Sequence, residues 1–139
     1  MPRPRYSIVI PVYNEAEVLD ELFRRLSALL EQLDGEAEVV LVDDGSTDTS
    51  FERMRDQHER DSRFGVLRLS RNFGHQLAIT AGLDHARGDA VVVMDADLQD
   101  PPEVVLEMAK RWQEGYLVVY GVRERRRGEG PTKRLTTSA

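Results

Sequence analysis

A chain of 139 residues, 40% hydrophobic and 32% charged, has the size and composition of one soluble globular domain. It has no cysteine, which excludes disulfides and thiolate metal sites, and its three histidines (His58, His75, His85) lack zinc-ligand spacing. Any metal is therefore expected to be a hard ion on oxygen ligands, and a net charge of −6 argues against a nucleic-acid scaffold.

Short β-branched runs alternate with longer stretches of helical periodicity. The first strand is expected at residues 7–12 and runs into Pro11-Val12-Tyr13-Asn14-Glu15. A long helix follows, with Leu19, Leu22, Phe23, Leu26, Leu29, Leu30 and Leu33 at three- and four-residue steps. Asn14 is read as its cap, with Glu17 at capping-box distance, and Glu15 as an ordinary first-turn acid. A second strand at 38–42 leads to Asp43-Asp44-Gly45-Ser46-Thr47-Asp48, then to a weakly apolar helix, roughly 47–59, expected at an edge. Ser46 or Thr47 can cap that helix and Asp48 can complement its dipole, so Asp43 and Asp44 are not needed there. A carboxylate at this turn could accept a hydrogen bond from a pyrimidine or guanine N–H. The alternative is a plain surface turn.

A third strand at 66–69 ends in Arg71-Asn72-Phe73-Gly74, and a third helix, 74–86, contains Gly82. Glycine costs about 1 kcal/mol there relative to alanine, which implies close packing. The fourth strand, 90–94, runs straight into Asp95. If the backbone stays extended, Asp95, Asp97 and Gln99 share one side while Ala96 and Leu98 face the other. Two carboxylates and an amide oxygen suit Mg²⁺ or Mn²⁺, and without a cation the carboxylates would repel each other. The competing reading is that they cap the next helix. Asp100, before Pro101 and three residues from Glu103, fits that role better. Val105, Met108, Ala109 and Trp112 then form one helical stripe, and a fifth strand is expected at 117–120.

Four strand–helix alternations with near-continuous apolar strands imply an α/β fold, a mostly parallel sheet with helices on both faces. In such folds ligands bind outside the carboxyl ends of the strands, where all four polar motifs fall. Residues 1–121 form the expected domain, and 122–139 an expected loop or frayed tail. From Tyr120 onward six Arg/Lys stand against two Glu, a local +4, leaving −10 on residues 1–119. Arg123 opens this basic run, which suits phosphates or an anionic membrane surface. No apolar run is long enough to span a bilayer and residues 1–5 lack a signal-peptide core. The expected location is cytoplasmic, with peripheral contact at the cytoplasmic face of a membrane compatible with the basic tail.

Rival chemistries fit worse. A phosphatase-like Asp-x-Asp would follow the first strand, a receiver domain would want a lysine near the last, and neither Gly-x-Gly-x-x-Gly nor a Walker A loop is present.

Five motifs in order resemble the family 2 glycosyltransferases of the GT-A fold, and among them the polyprenyl-phosphate glycosyltransferases. They are IPVYNE (10–15), VDDGSTD (42–48), RNFGHQLAITAGLDHARGD (71–89), DADLQDPPE (95–103) and VYGVRERR (119–126). The resemblance implies a nucleotide-sugar-binding half in which Pro11, Tyr13, Glu15 and Asp44, with Asp43, line the nucleoside pocket. It implies a metal and diphosphate site of Asp95, Asp97 and Gln99 holding Mg²⁺ or Mn²⁺, with Asp95 also touching the nucleotide. Arg123 would meet the acceptor phosphate, joined by Arg134 and Ser138. The implied reaction is inverting transfer from a nucleotide diphosphate sugar, UDP-sugar favoured and GDP-mannose the alternative, to a polyprenyl phosphate lipid. The family normally continues into an acceptor-side segment, so a nucleotide-sugar-binding module without turnover is the competing expectation, and self-association is left open.

Overall fold

The computed structural model describes residues 3–116, 118–125 and 131–138, the last two stretches through their backbone only. The chain falls into two compact units, Met1–Pro102 and Glu103–Ala139. That division comes before the change of composition at residue 122.

In the first unit, β1 (Tyr6–Val12), β2 (Ala37–Asp43), β3 (Phe64–Arg68) and β4 (Ala90–Val93) form one parallel sheet in the order β3-β2-β1-β4. The register aligns Val12 with Asp43 and Asp43 with Arg68, so neighbouring strands end level. All seven residues of β1 are buried, as the unbroken apolar run requires of a central parallel strand.

Helices α1 (Ala16–Gln32) and α2 (Ser50–Arg60) lie on one face and α3 (His75–His85) on the other. The leucine stripe of α1 buries six residues, and Phe23 meets Phe64 of β3 edge-on at 5.8 Å between ring centres. Met54 is the large apolar side chain that α2 buries, and the helix packs on the edge strand β3, as its weak stripe leads one to expect. Opposite, Val9, Val40 and Val42 form a patch with Ala78 of α3.

Gly82 sits over that patch. A β-carbon there would lie 2.3 Å from Val9 Cγ1 and 3.1 Å from Val42 Cγ2. The close packing inferred from an isolated helical glycine is present. Gly82→Ala is therefore expected to cost about 1–3 kcal/mol through overpacking, despite alanine's better helix propensity. Urea denaturation should show Val9→Ala recovering part of the loss in the double variant. A stabilised Gly82→Ala would mean the helix stands further from the sheet.

The second unit holds α4 (Val104–Gln113) and an antiparallel hairpin of β5 (Val118–Arg125) and β6 (Pro131–Ser138). β5 takes in residues 118–120 of the expected fifth strand, and the pairing beyond them corrects the loop or tail expected at 122–139, because the Val and Thr residues of 122 and 132–137 favour extended chain. Charge had masked that pattern. The start of α4 is also corrected. Its first residue is Val104, with Pro101–Glu103 forming a loop and turn, so Asp100 stands too far back to be its cap.

Candidate functional site

A cleft of about 470 Å³ opens at the carboxyl ends of the sheet in the first unit. Pro11, Val12, Tyr13 and Glu15 line it from the end of β1, and Asp44 from the end of β2. Asn72, Gly74 and His75 enter from the β3–α3 loop, and Asp95, Ala96 and Asp97 from the end of β4. The four strand ends singled out by sequence do meet in one place.

Asp44 holds the cleft together. Its side chain is almost fully buried. Oδ1 accepts the Phe73 N–H at 2.8 Å, and Oδ2 accepts the Gly74 N–H at 3.1 Å and the Asn72 amide at 3.3 Å. A carboxylate has about four acceptor positions, so roughly one remains for a ligand. The surface-turn alternative for Asp44 is thereby removed. Asp43 is buried completely but is not among the cleft residues. Its Oδ1 accepts the Ser46 N–H at 3.0 Å, and Oδ2 has no hydrogen bond, with Arg68 Nε 3.7 Å away.

The loops after β1 and β2 are laced together through their helix ends. Asn14, at φ 51°, accepts the N–H groups of Thr47 (2.8 Å) and Asp48 (3.2 Å) through Oδ1. Asp48 in return accepts the Ala16 N–H at 3.3 Å, and also the Ser50 N–H at 2.8 Å. Asn14 is structural as expected, but it serves the turn ahead of α2 and not the start of α1. Likewise α2 begins at Ser50, after Thr49, so neither Ser46 nor Thr47 caps it. Their hydroxyls face the other loop: Ser46 Oγ accepts the Asn14 N–H at 3.0 Å.

The far wall is acidic. Burial, and then the carboxylates of Asp97, Asp48 and Asp95, push the Glu15 carboxyl above its ordinary range. Glu15 stands at the position before α1 and not in its first turn, and it lines the cleft. Asp95 Oδ1 lies 3.5 Å from His75 Nε2. Asp97 Oδ1 accepts the Gln99 N–H at 3.1 Å, and Leu98 sits at φ 63°. The segment after β4 is therefore a turn, which corrects the expectation that Asp95, Asp97 and Gln99 share one edge of an extended chain. Asp95 and Asp97 reach the cleft, whereas Gln99 is exposed and not among its residues.

Among the described residues no three His, Asp or Glu side chains are grouped so as to hold a metal alone. Mg²⁺ and Mn²⁺ commonly take one or two carboxylates and complete their shells with phosphate oxygens and water. The hard oxygens of Asp95 and Asp97, in a cleft with surplus negative charge at Glu15, fit that demand. Arg123, Arg134 and Ser138 belong to the second unit, and their side chains lie outside the described residues. In the backbone register Arg123 is opposite Lys133, Arg134 opposite Val122 and Ser138 opposite Val118. Asn72 and His75 were not singled out from sequence, although the position of their motif at the third strand end was the available signal.

A parallel sheet with a cleft outside the carboxyl ends of its strands places this unit among the α/β domains that bind ligands at that position. Residues 7–139 match the family described as glycosyl transferase family 2, and the chain belongs to that family. Its fold is the GT-A fold. The chain is 52% identical over 134 residues to YkcC of Bacillus subtilis (strain 168), an uncharacterised glycosyltransferase, covering 96% of this chain and 42% of that protein. It is 50% identical over 121 residues to an undecaprenyl-phosphate 4-deoxy-4-formamido-L-arabinose transferase of Pseudomonas syringae pv. syringae, covering 86% and 36%. The chain thus spans well under half the length of these relatives. Among solved structures it resembles the mannosyltransferase PcManGT of Pyrobaculum calidifontis in complex with GDP-Man and Mn²⁺. That match has a TM-score of 0.63 and 33% identity, over 80% of this chain and 32% of the other. It also resembles S. aureus TarS 1–349 in complex with UDP, at a TM-score of 0.62 and 28% identity over 79% and 32%.

Proposed function

We propose that the chain is the donor-binding part of a metal-dependent, inverting glycosyltransferase that moves a sugar from a nucleotide diphosphate sugar to a polyprenyl phosphate lipid. One observation carries this reading: Asp95 and Asp97 enter the same cleft as Glu15, Tyr13 and the loop that Asp44 fastens. The names of relatives support the acceptor class, and the GDP-Man and UDP complexes of similar structures support the donor class. A UDP-sugar is the favoured donor and GDP-mannose the alternative, on the bacterial-type wording of residues 98–103.

Pro11 and Tyr13 form the apolar wall for the base, with Glu15 beside them and the remaining acceptor position of Asp44 facing a base N–H. Asp43 supports that pocket from behind through Ser46. Asp95 and Asp97 would hold Mg²⁺ or Mn²⁺, and Asp97 orients its carboxylate by accepting the Gln99 N–H. When bound, the cation supplies neutralisation of the charge that builds on the leaving diphosphate. A phosphate oxygen of the lipid attacks the anomeric carbon from the opposite face, and the bond to the diphosphate oxygen breaks with its electrons leaving on the nucleotide. A phosphate is already anionic at neutral pH, so no strong base is needed. Arg123, with Arg134 and Ser138, is assigned to that acceptor phosphate. Among the described residues no helix is long and apolar enough to cross a membrane. The basic hairpin is the proposed peripheral contact with the lipid surface on the cytoplasmic side.

Calorimetry with UDP- and GDP-sugars, with and without Mn²⁺, tests the reading. Asp97→Ala should weaken Mn²⁺-dependent donor binding by about tenfold or more. Equal affinity with and without Mn²⁺ in wild type, or no effect in the variant, overturns the site. Donor binding with no transfer to undecaprenyl phosphate would instead favour a binding module.

A further inference from the structure

A groove of about 520 Å³, as large as the donor cleft, wraps the opposite edge of the sheet. Gly65, Val66, Leu67 and Arg68 of β3 form its floor, with Phe51 and Arg55 of α2 on one side. β3 is the outermost strand on this side of the sheet. Arg63 C=O and Leu69 N–H both bond to β2, so by alternation the odd-numbered peptide groups face inward and the even-numbered ones outward. Phe64 is already served: its N–H bonds to the Asp61 carbonyl and its C=O accepts the His58 ring N–H at 2.6 Å. The outward N–H and C=O of Val66 and Arg68 meet no other strand among the described residues.

The charge around that edge is unlike the acidic chain it sits on. The Arg68 guanidinium stacks 4.0 Å above the Phe51 ring, and Arg55 lies 5.9 Å from the same ring. Arg55 has no ion pair among the described residues, while Arg68 has only the buried Asp43 at 3.7 Å. The acid that lines the groove, Glu38, is taken by the Ser7 hydroxyl at 2.7 Å and the Arg87 guanidinium at 3.1 Å. An open strand edge therefore runs between half-buried apolar side chains under two cations held in place by one aromatic ring.

We propose that the outer edge of β3 is a docking site for an acidic, extended peptide segment of a partner protein, which joins the sheet beside Val66 and Arg68 and sets its carboxylates against Arg55 and Arg68. Main-chain hydrogen bonds to an exposed edge give such pairing its affinity, and side-chain pockets and charges give it selectivity. A second copy of this chain is the poorer occupant, because its own edge would bring the same arginines against these.

The test uses a fluorescein-labelled peptide of alternating glutamate and valine, read by anisotropy, with a lysine–valine peptide as the charge control. Saturable binding of the acidic peptide alone is expected, with the Val66 and Arg68 amides gaining protection from hydrogen exchange. Val66→Pro removes one outward donor and leaves the ladder to β2 intact. Arg55→Glu reverses an exposed charge without touching β2. Each should weaken binding about tenfold or more while the melting temperature stays close to wild type. Should Val66→Pro fail to fold, Arg55→Glu and the exchange pattern still decide. Equal binding of both peptides, or no loss in Arg55→Glu, overturns the proposal. So does concentration-dependent protection of the same amides without peptide, which would make the occupant a second copy.

Discussion

Asp44→Ala is expected to lose about 3–5 kcal/mol of folding stability and to bring nucleotide-sugar affinity below detection in the same variant. Three donors converge on this buried carboxylate, two of them backbone N–H groups of Phe73 and Gly74. Hydrogen bonds to a charged acceptor contribute about 1.5–3 kcal/mol each, and buried N–H groups left without a partner carry a further penalty. The loss would be a large part of the 5–15 kcal/mol that typically separates folded from unfolded chains. Asp44→Asn should fall between, because its amide nitrogen must face one of the same N–H groups while its oxygen still serves another. Chemical denaturation measures the first effect and calorimetric titration with UDP the second. Wild-type stability in Asp44→Ala would show that the β3–α3 loop is held by something else. Wild-type stability in Asp44→Asn together with lost binding would assign the carboxylate to the ligand alone.

Much of the architecture around Asp44 was legible in the sequence because it is written in local periods. The leucine stripe of α1 and the continuous apolar runs of β1, β2 and β4 leave few alternatives to a covered parallel sheet, and the strand ends follow from it. What sequence missed depends on partners far along the chain. Asn14 has the spacing of a cap for its own helix, yet its carbonyl oxygen meets Thr47 and Asp48, more than thirty positions away. No local pattern encodes that exchange. Asp95, Asp97 and Gln99 alternate as strand residues do, but Asp97 bends the backbone back on itself by accepting the Gln99 N–H. A short polar side chain competing for its own backbone overrides the period of two. In residues 122–125 and 131–138 the opposite happened: conspicuous charge hid ordinary β-formers.

The glycine beside Asp44 makes the second large prediction, and the two are coupled. Gly45 adopts φ 74°, and a β-carbon on it would stand 2.4 Å from both Arg71 C and Asn72 N. A left-handed conformation alone costs an alanine about 1–2 kcal/mol. The contact adds more, since the atoms in the way are backbone and cannot rotate aside as a side chain would. Gly45→Ala is thus expected to lose about 3 kcal/mol or more, and to displace the segment whose Asn72, Phe73 and Gly74 donate to Asp44. If displacement is the route, much of the Asp44 contribution is already gone in Gly45→Ala. The double variant with Asp44→Ala should then be less destabilised than the sum of the two singles, by about 1 kcal/mol or more in a double-mutant cycle. Strict additivity would mean that the turn yields locally and that the β3–α3 loop keeps its hold on the carboxylate. A Gly45→Ala variant within about 0.5 kcal/mol of wild type would go further. It would show that the two loops do not approach as closely as these contacts require, and that the floor of the cleft is built some other way.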